Sequence, residues 1–298
     1  MVKAVFTTKV NPTYDDLPEY QYHFPKTYLR QVEAAVGDWI VYYEPRRSSG
    51  DLSSRGGRLA YFATARVSRV APDPGLEGHF YAFVSDYLEF ERPVPFREGQ
   101  SYYESLLQRE DGGTSKGAFG RAVRALPNTE YDLILRAGFS DLLLPGTTQA
   151  PELVDLDEDA EAFDRPIIER VTKRLFRDAA FSAAVKTAYD NTCAFTGLKI
   201  INGGGRSEVQ AAHIQPVSES GPDSVRNGLA LCGTVHWMFD RGLLSLDDDL
   251  TILIARDRVP EAIQRMTNPG GKLRRPSRPE YLPHKNFLSY HRTIKFKG

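Results

Sequence analysis

Ala211-Ala212-His213-Ile214-Gln215-Pro216 is the stretch on which the reading of this chain turns. Asn227-Gly228-Leu229 follows it, and then His236-Trp237-Met238-Phe239-Asp240. His, Asn and His are separated by 14 and 9 residues, and an acidic residue stands four positions after the last His. Positions i and i+4 share one face of a helix, so His236 and Asp240 can reach a single metal ion. One imidazole and one carboxylate suit a divalent ion such as Mg²⁺, Mn²⁺ or Zn²⁺ without deciding among them.

The flanking residues extend the pattern. Cys193-Ala194-Phe195-Thr196-Gly197 precedes it, Ala230-Leu231-Cys232 sits in its middle, and Phe239-Asp240-Arg241-Gly242-Leu243 closes it. Together these residues resemble the HNH (His-Me finger) endonucleases, in the subgroup with an Ala-Ala-His-Ile-x-Pro first strand. The resemblance covers roughly residues 166–298, including Phe287-Leu288-Ser289-Tyr290-His291-Arg292. It implies a ββα-metal site that hydrolyses phosphodiesters. His213 is then the general base that takes a proton from water, a task suited to a neutral imidazole near pH 7. His236 and Asp240 hold one ion, Mg²⁺ or Mn²⁺, which stabilises the phosphate charge and the leaving oxygen. Asn227 steadies the loop or adds a metal ligand, so the implied catalytic set is His213, Asn227 and His236. Two departures stand out. Many members carry Asp, Glu or His just before the base, where this chain has Ala212. The paired Cys-x-x-Cys motifs of zinc-braced relatives are absent, so no structural zinc held by four cysteines is expected. His23, His79, His284 and His291 lack such support and read as structural or surface groups.

Upstream, residues 1–140 read as a mixed domain of short strands. Trp39-Ile40-Val41-Tyr42-Tyr43 follows a Gly37-Asp38 turn, and Leu59 to Val70, His79 to Phe83 and Tyr87 to Phe90 supply further strands. Short helices are expected over Tyr28 to Ala35 and Gly117 to Leu126. Tyr22-His23-Phe24-Pro25, the Gly37-Asp38 turn with its aromatic strand, and Tyr61-Phe62-Ala63-Thr64-Ala65 look like small PUA-like barrels of the EVE kind. Such barrels hold a modified base in an aromatic pocket. This resemblance implies a reader of 5-methyl- or 5-hydroxymethylcytosine with base flipping, whose unstacking cost of a few kcal/mol is partly returned by aromatic stacking. Trp39, Tyr43, Tyr28 and Phe24 are the pocket candidates. Arg46, Arg47, Arg174 and Arg177 are candidate phosphate contacts. Alternate residues of a strand face inward, so each aromatic also reads as barrel core, and Tyr42 and Tyr43 face opposite ways on a regular strand.

Composition sets the limits. A chain of 298 residues suggests about two domains. No apolar run approaches the ~20 residues of a membrane helix. The start Met1-Val2-Lys3-Ala4-Val5-Phe6 lacks the apolar core of a signal peptide, and two cysteines build no disulfide framework, so a cytoplasmic location is expected. The net charge of -1 hides an uneven distribution: -1 over 1–140, -7 over 141–165 and +7 over 166–298. The middle segment reads as an acidic linker, and the basic last part points to a polyanion.

The expectation is thus an α+β chain with a PUA-like (EVE-like) β-barrel over 1–140, a linker over 141–165 and a ββα-metal HNH domain over 166–298. Its function is metal-dependent, modification-dependent restriction of double-stranded DNA. The alternatives are an HNH nuclease indifferent to modification and a DNA-binding protein with a decayed site. One site per chain cuts both strands through a homodimer or through two successive nicks.

Overall fold

The computed structural model describes residues 2–8, 17–45, 57–143 and 174–298. It divides into two compact units, Met1–Arg177 and Asp178–Gly298. The acidic stretch 141–165 lies outside the described residues from 144 onward, as do Arg46 and Arg47.

The first unit is built on strands β1 (Ala4–Thr7), β2 (Gln21–Pro25), β3 (Trp39–Glu44), β4 (Ala60–Pro72), β5 (His79–Pro95), β6 (Arg97–Glu98), β7 (Ser101–Tyr102) and β8 (Val123–Ala125). Six of them form one sheet in the order β2-β5-β4-β3-β1-β8, with only β1 and β3 parallel. Aromatic and β-branched residues favour these extended runs. Gly37, at φ 85°, makes the turn that launches β3. Register shifts at Tyr42/Tyr43 and at three points between β4 and β5 add twist, and the sheet curls into a half-barrel. Its core gathers Phe6, Tyr22, Phe24, Val32, Ile40, Tyr42, Phe62 and Tyr87. Val32 comes from the short helix α1 (Leu29–Ala34). Elsewhere Gly138, at the end of the third helix, lies so close to Phe90 that a Cβ would stand 2.6 Å from its ring.

Two expectations change here. The segments 79–83 and 87–90 are one continuous strand, paired to β4 through Val84 and Ser85, and the strand runs on past Pro93 because that residue falls where β5 makes no registered pairing with β4. The expected helix over 117–126 is a short helix, α2 (Lys116–Phe119), followed by β8. Arg124 of β8 is fully buried, and its guanidinium donates to both oxygens of Glu104 at 2.7 and 2.8 Å. Tyr61 donates to the same carboxylate at 2.6 Å. A buried arginine needs such a bidentate partner, and that pairing demands the extended conformation.

Helices α3 (Asn128–Gly138) and α4 (Ser140–Leu143) complete this unit, together with the first turn of α5 (Arg174–Ala188). The second unit holds the rest of α5, the hairpin β9 (Gln210–His213) and β10 (Gly228–Leu231), helix α6 (Gly233–Asp240), and the hairpin β11 (Leu244–Leu246) and β12 (Ile252–Ile254). Val235, Met238 and Phe239 point α6 into the core at helical spacing. The helix stops at Gly242, φ +71°, where a Cβ would collide with the backbone of Lys295. No helix among the described residues is long and apolar enough to cross a membrane.

His291 closes this core. It stacks on Phe239 with ring centroids 3.8 Å apart and hydrogen-bonds Ser245 Oγ and the Phe239 carbonyl. Burial holds its pKa down to about 4. An unfolded histidine titrates near 6.5, so the stabilisation from keeping His291 neutral is complete above pH 6.5 and is lost as pH falls toward about 4. NMR titration of the imidazole protons is expected to find one histidine with a midpoint near 4, accompanied by falling stability between pH 6.5 and 4. A His291 midpoint near 6.5 would contradict the packing described.

Candidate active site

The β9–β10 hairpin sets His213 opposite Gly228 and Ala212 opposite Leu229. Gly228 is required here, since a Cβ at this position would collide with Val185 and press on Phe181 of α5. The close approach lets the Phe181 ring lie flat on the His213 imidazole, with centroids 3.7 Å apart and planes at 9°. Asp223 approaches the ring from the loop, with Oδ1 3.0 Å from Nε2. An ionised carboxylate only accepts, so the Nε2 proton is held on Asp223 and Nδ1 carries the lone pair. Nδ1 has no hydrogen-bond partner among the described residues. The Asp223 side chain is 4% exposed and that of His213 is 21% exposed, so the carboxylate is sealed in while the base can meet water.

The loop between the strands is held by one side chain. Asn227 is completely buried. Its Oδ1 accepts from the Gln215 amide at 2.9 Å, and its Nδ2 donates to the carbonyls of Gln215 and Pro222 at 2.9 and 3.0 Å. Its own carbonyl accepts from Ile214 at 2.9 Å. Gly221 closes the same loop, its Cα so near the Gln215 and Pro216 carbonyls that no side chain fits. Asn227 therefore works as a clamp whose amide is fully committed. Of the two roles expected for Asn227, steadying the loop or adding a metal ligand, these hydrogen bonds fit the first.

His236 and Asp240 lie one turn apart on α6, with Nε2 3.5 Å from Oδ2. Gln210, at the start of β9, takes the other side of the ring: its Oε1 lies 2.7 Å from Nδ1. With the Nδ1 proton directed at Gln210, the Nε2 lone pair faces a carboxylate oxygen. Two electron-rich atoms held this close suit a cation between them, and an outer-shell acceptor of this kind fixes the tautomer of a metal-binding histidine. Ala212 is fully buried against β10 and offers no donor. Among the described residues, no group of three or more His, Cys, Asp or Glu side chains could hold an ion. His236 and Asp240 would be two of the groups that hold such an ion.

The four aromatic pocket candidates are not brought together. Phe24 and Tyr28 belong to, or pack on, the core cluster that contains Tyr42. Tyr43 lies outside that cluster, edge-on to Tyr61 and Phe119, with the Arg124 guanidinium 5.5 Å from its ring centre. Strand alternation separates the neighbouring tyrosines in this way. Trp39 is 9% exposed and also lies outside the core cluster. Arg174 is exposed. Arg177 donates to the carbonyls of Asp86 and Tyr87 at 3.1 and 2.9 Å, where Asp86 bends β5 at positive φ. Its guanidinium braces that bend.

Cys193 and Cys232 are both buried, and they hydrogen-bond each other through their side chains. That bond lowers the Cys193 pKa and raises that of Cys232. The contact ties the 193–198 turn to the start of α6, where Cys232 is the N-cap.

Asp223 and Gln210 are the residues that the sequence reading missed. Neither belongs to the His-Asn-His pattern, and each acts by contacting the unused nitrogen of a histidine that does.

Residues 193–247 match the family described as HNH endonuclease. A structure described as the modification-dependent TagI restriction endonuclease is similar with a TM-score of 0.31 and 18% identity, over 88% of this chain and 64% of that one. Another, described as the type IV phosphorothioation-dependent restriction endonuclease ScoMcrA, gives a TM-score of 0.21 and 12% identity, over 79% of this chain and 46% of that one. This chain therefore spans less than two thirds of the length of either. No protein of curated function is similar to it. The family match lies within the second unit and covers the hairpin and helix that carry His213, Asn227, His236 and Asp240.

Asn227→Asp tests the clamp. A carboxylate can still accept from Gln215 but cannot donate to the two carbonyls that Nδ2 now serves. Each group left unsatisfied is expected to cost about 1–3 kcal/mol. Chemical denaturation should show the loss, together with a collapse of nuclease activity. An unchanged unfolding midpoint with full activity would remove the clamp.

Proposed function

We propose that the chain is a metal-dependent DNA endonuclease whose first unit, a PUA-like (EVE-like) half-barrel, directs cutting to DNA carrying 5-methyl- or 5-hydroxymethylcytosine. The observation that carries the nuclease part is the pair of oriented histidines. His213 has its Nε2 proton on Asp223, and His236 has its Nδ1 proton on Gln210. One ring is thus set to accept a proton and the other to ligate.

His213 Nδ1 takes a proton from water as the water oxygen bonds to phosphorus. Asp223 steadies the imidazolium that forms, as the buried carboxylate does in a catalytic triad. Phe181 keeps the ring plane fixed. The bond from phosphorus to the 3′ oxygen breaks, and that oxygen leaves with a proton from solvent. His236 and Asp240 would hold Mg²⁺ or Mn²⁺, one ion per site, which supplies charge stabilisation at the phosphate and at the departing oxygen.

Support for the modified-base reading comes from the aromatic wealth of the curled sheet and from the joining of such a domain to an HNH domain that itself reads little sequence. Trp39 and Tyr43 are the candidates retained; both are buried, Tyr43 at 1% exposure against Tyr61 and Phe119 and Trp39 at 9%, and both lie outside the cluster that holds Phe24. Phe24 and Tyr28 are released to the core. The +7 charge of residues 166–298 supports salt-dependent association with the DNA backbone.

Plasmid DNA containing cytosine, 5-methylcytosine or 5-hydroxymethylcytosine, incubated with Mg²⁺ or Mn²⁺, tests both parts. Cutting confined to the modified forms is expected. Equal cutting of all three forms would remove the reader and leave the nuclease, and no cutting of any form would remove the nuclease.

A further inference from the structure

Helix α6 carries more than His236 and Asp240. Its inner face is Val235, Met238 and Phe239, and its outer face includes Trp237. Trp237 is 59% exposed, and among the described residues it is the one aromatic side chain in the set of exposed large apolar groups. Trp is a residue that folding normally covers, and an uncovered one beside a functional site marks a contact surface. It follows His236 directly in the chain, as Arg241 follows Asp240, so the pair Trp237/Arg241 runs alongside the pair His236/Asp240.

Arg241 holds its guanidinium 5.8 Å from the centre of the Trp237 ring. It makes no ion pair among the described residues. The chain end crosses the same place: Lys297 donates its amide to the Gly242 carbonyl, and the Lys295 backbone packs against Gly242. Lys295 is half-buried and Lys297 is exposed, and neither has a carboxylate partner among the described residues. An uncovered indole therefore stands beside one guanidinium, with the Asp240 carboxylate on the neighbouring face and two lysines on the segment that crosses Gly242. A protein partner would need acidic groups to match these cations and an apolar patch wider than one ring. A polyanion with stackable flat groups meets both requirements at once.

We infer that Trp237 and Arg241 form a docking face for the DNA duplex next to the scissile phosphate, with the indole packed on a sugar or base and Arg241, Lys295 and Lys297 on backbone phosphates. This inference rests on the reading of the chain as a DNA endonuclease. An aromatic–nucleotide contact and point-charge contacts have separable signatures. Loss of the ring weakens binding without changing its salt dependence, whereas loss of one phosphate contact lowers the salt slope by about one unit.

The chain has two tryptophans, and Trp39 is 9% exposed, so iodide-accessible fluorescence reports Trp237. Wild type and Trp237→Phe are titrated in EDTA with a duplex carrying 5-methylcytosine, and anisotropy of a labelled copy of that duplex measures complex formation independently. The expected result is quenching and iodide protection in the wild type that are absent in Trp237→Phe. Trp237→Ala should bind about 5–100-fold more weakly with an unchanged salt slope, Trp237→Phe should retain most of the affinity, and Arg241→Ala should lower the slope. A complex seen by anisotropy that leaves Trp237 fluorescence and iodide access unchanged would overturn the docking face while sparing the nuclease. No complex in anisotropy at low salt would overturn the DNA reading, and the docking face with it.

Discussion

The carboxamide of Asn227 holds the active-site loop to its own hairpin. Three hydrogen bonds from one fully buried side chain join Gln215 to Pro222 across the loop. Only an amide can accept and donate at once in that position, which is why the residue between the two histidines is Asn. With the loop clamped, Asp223 reaches the Nε2 side of the His213 ring. The strain of the fold gathers around this point. Ser220 sits at positive φ, Gly221 has no room for a side chain, and Gly228 yields its volume to α5.

The two histidines are treated alike by the fold and end with opposite duties. Each has one nitrogen occupied by an acceptor from a neighbouring segment, Asp223 for one and Gln210 for the other. His213 has a charged acceptor, which favours the ring at the moment it gains a proton, as a base requires. His236 has a neutral acceptor on Nδ1, and its Nε2 faces the Asp240 carboxylate at 3.5 Å, an arrangement that suits the ligand role proposed for it. The difference between a base and a ligand is thus written in the second partner of each ring. The absence of a donor at Ala212 is consistent with this economy, since phosphate and water can complete a cation's shell once two groups are preset.

Much of this was legible in the chain itself. The His-Asn-His spacing and the i,i+4 pair on α6 were visible because they are local, and the glycine turn before β3 was visible because only glycine accepts its φ. What escaped was non-local. Asp223 and Gln210 lie outside the motif, and their roles exist only once the loop and the hairpin have closed. Arg124 fell in a stretch expected to be helical, because nothing nearby announces Glu104, twenty positions earlier, as its buried partner. The aromatic candidates were divided for a related reason: alternation along β3 says that Tyr42 and Tyr43 part ways but not which of them meets the core. A bulge at that very point makes simple counting unsafe.

The central claim is that Asp223 acts on the reaction through His213 and not beside it. A double-mutant cycle on single-turnover cleavage with His213→Ala, Asp223→Ala and the double variant measures this directly. The account predicts that His213→Ala abolishes cutting, that Asp223→Ala lowers it, and that the double variant is no slower than His213→Ala alone. Losses that multiply in the double variant, or an Asp223→Ala protein as fast as wild type, would contradict it.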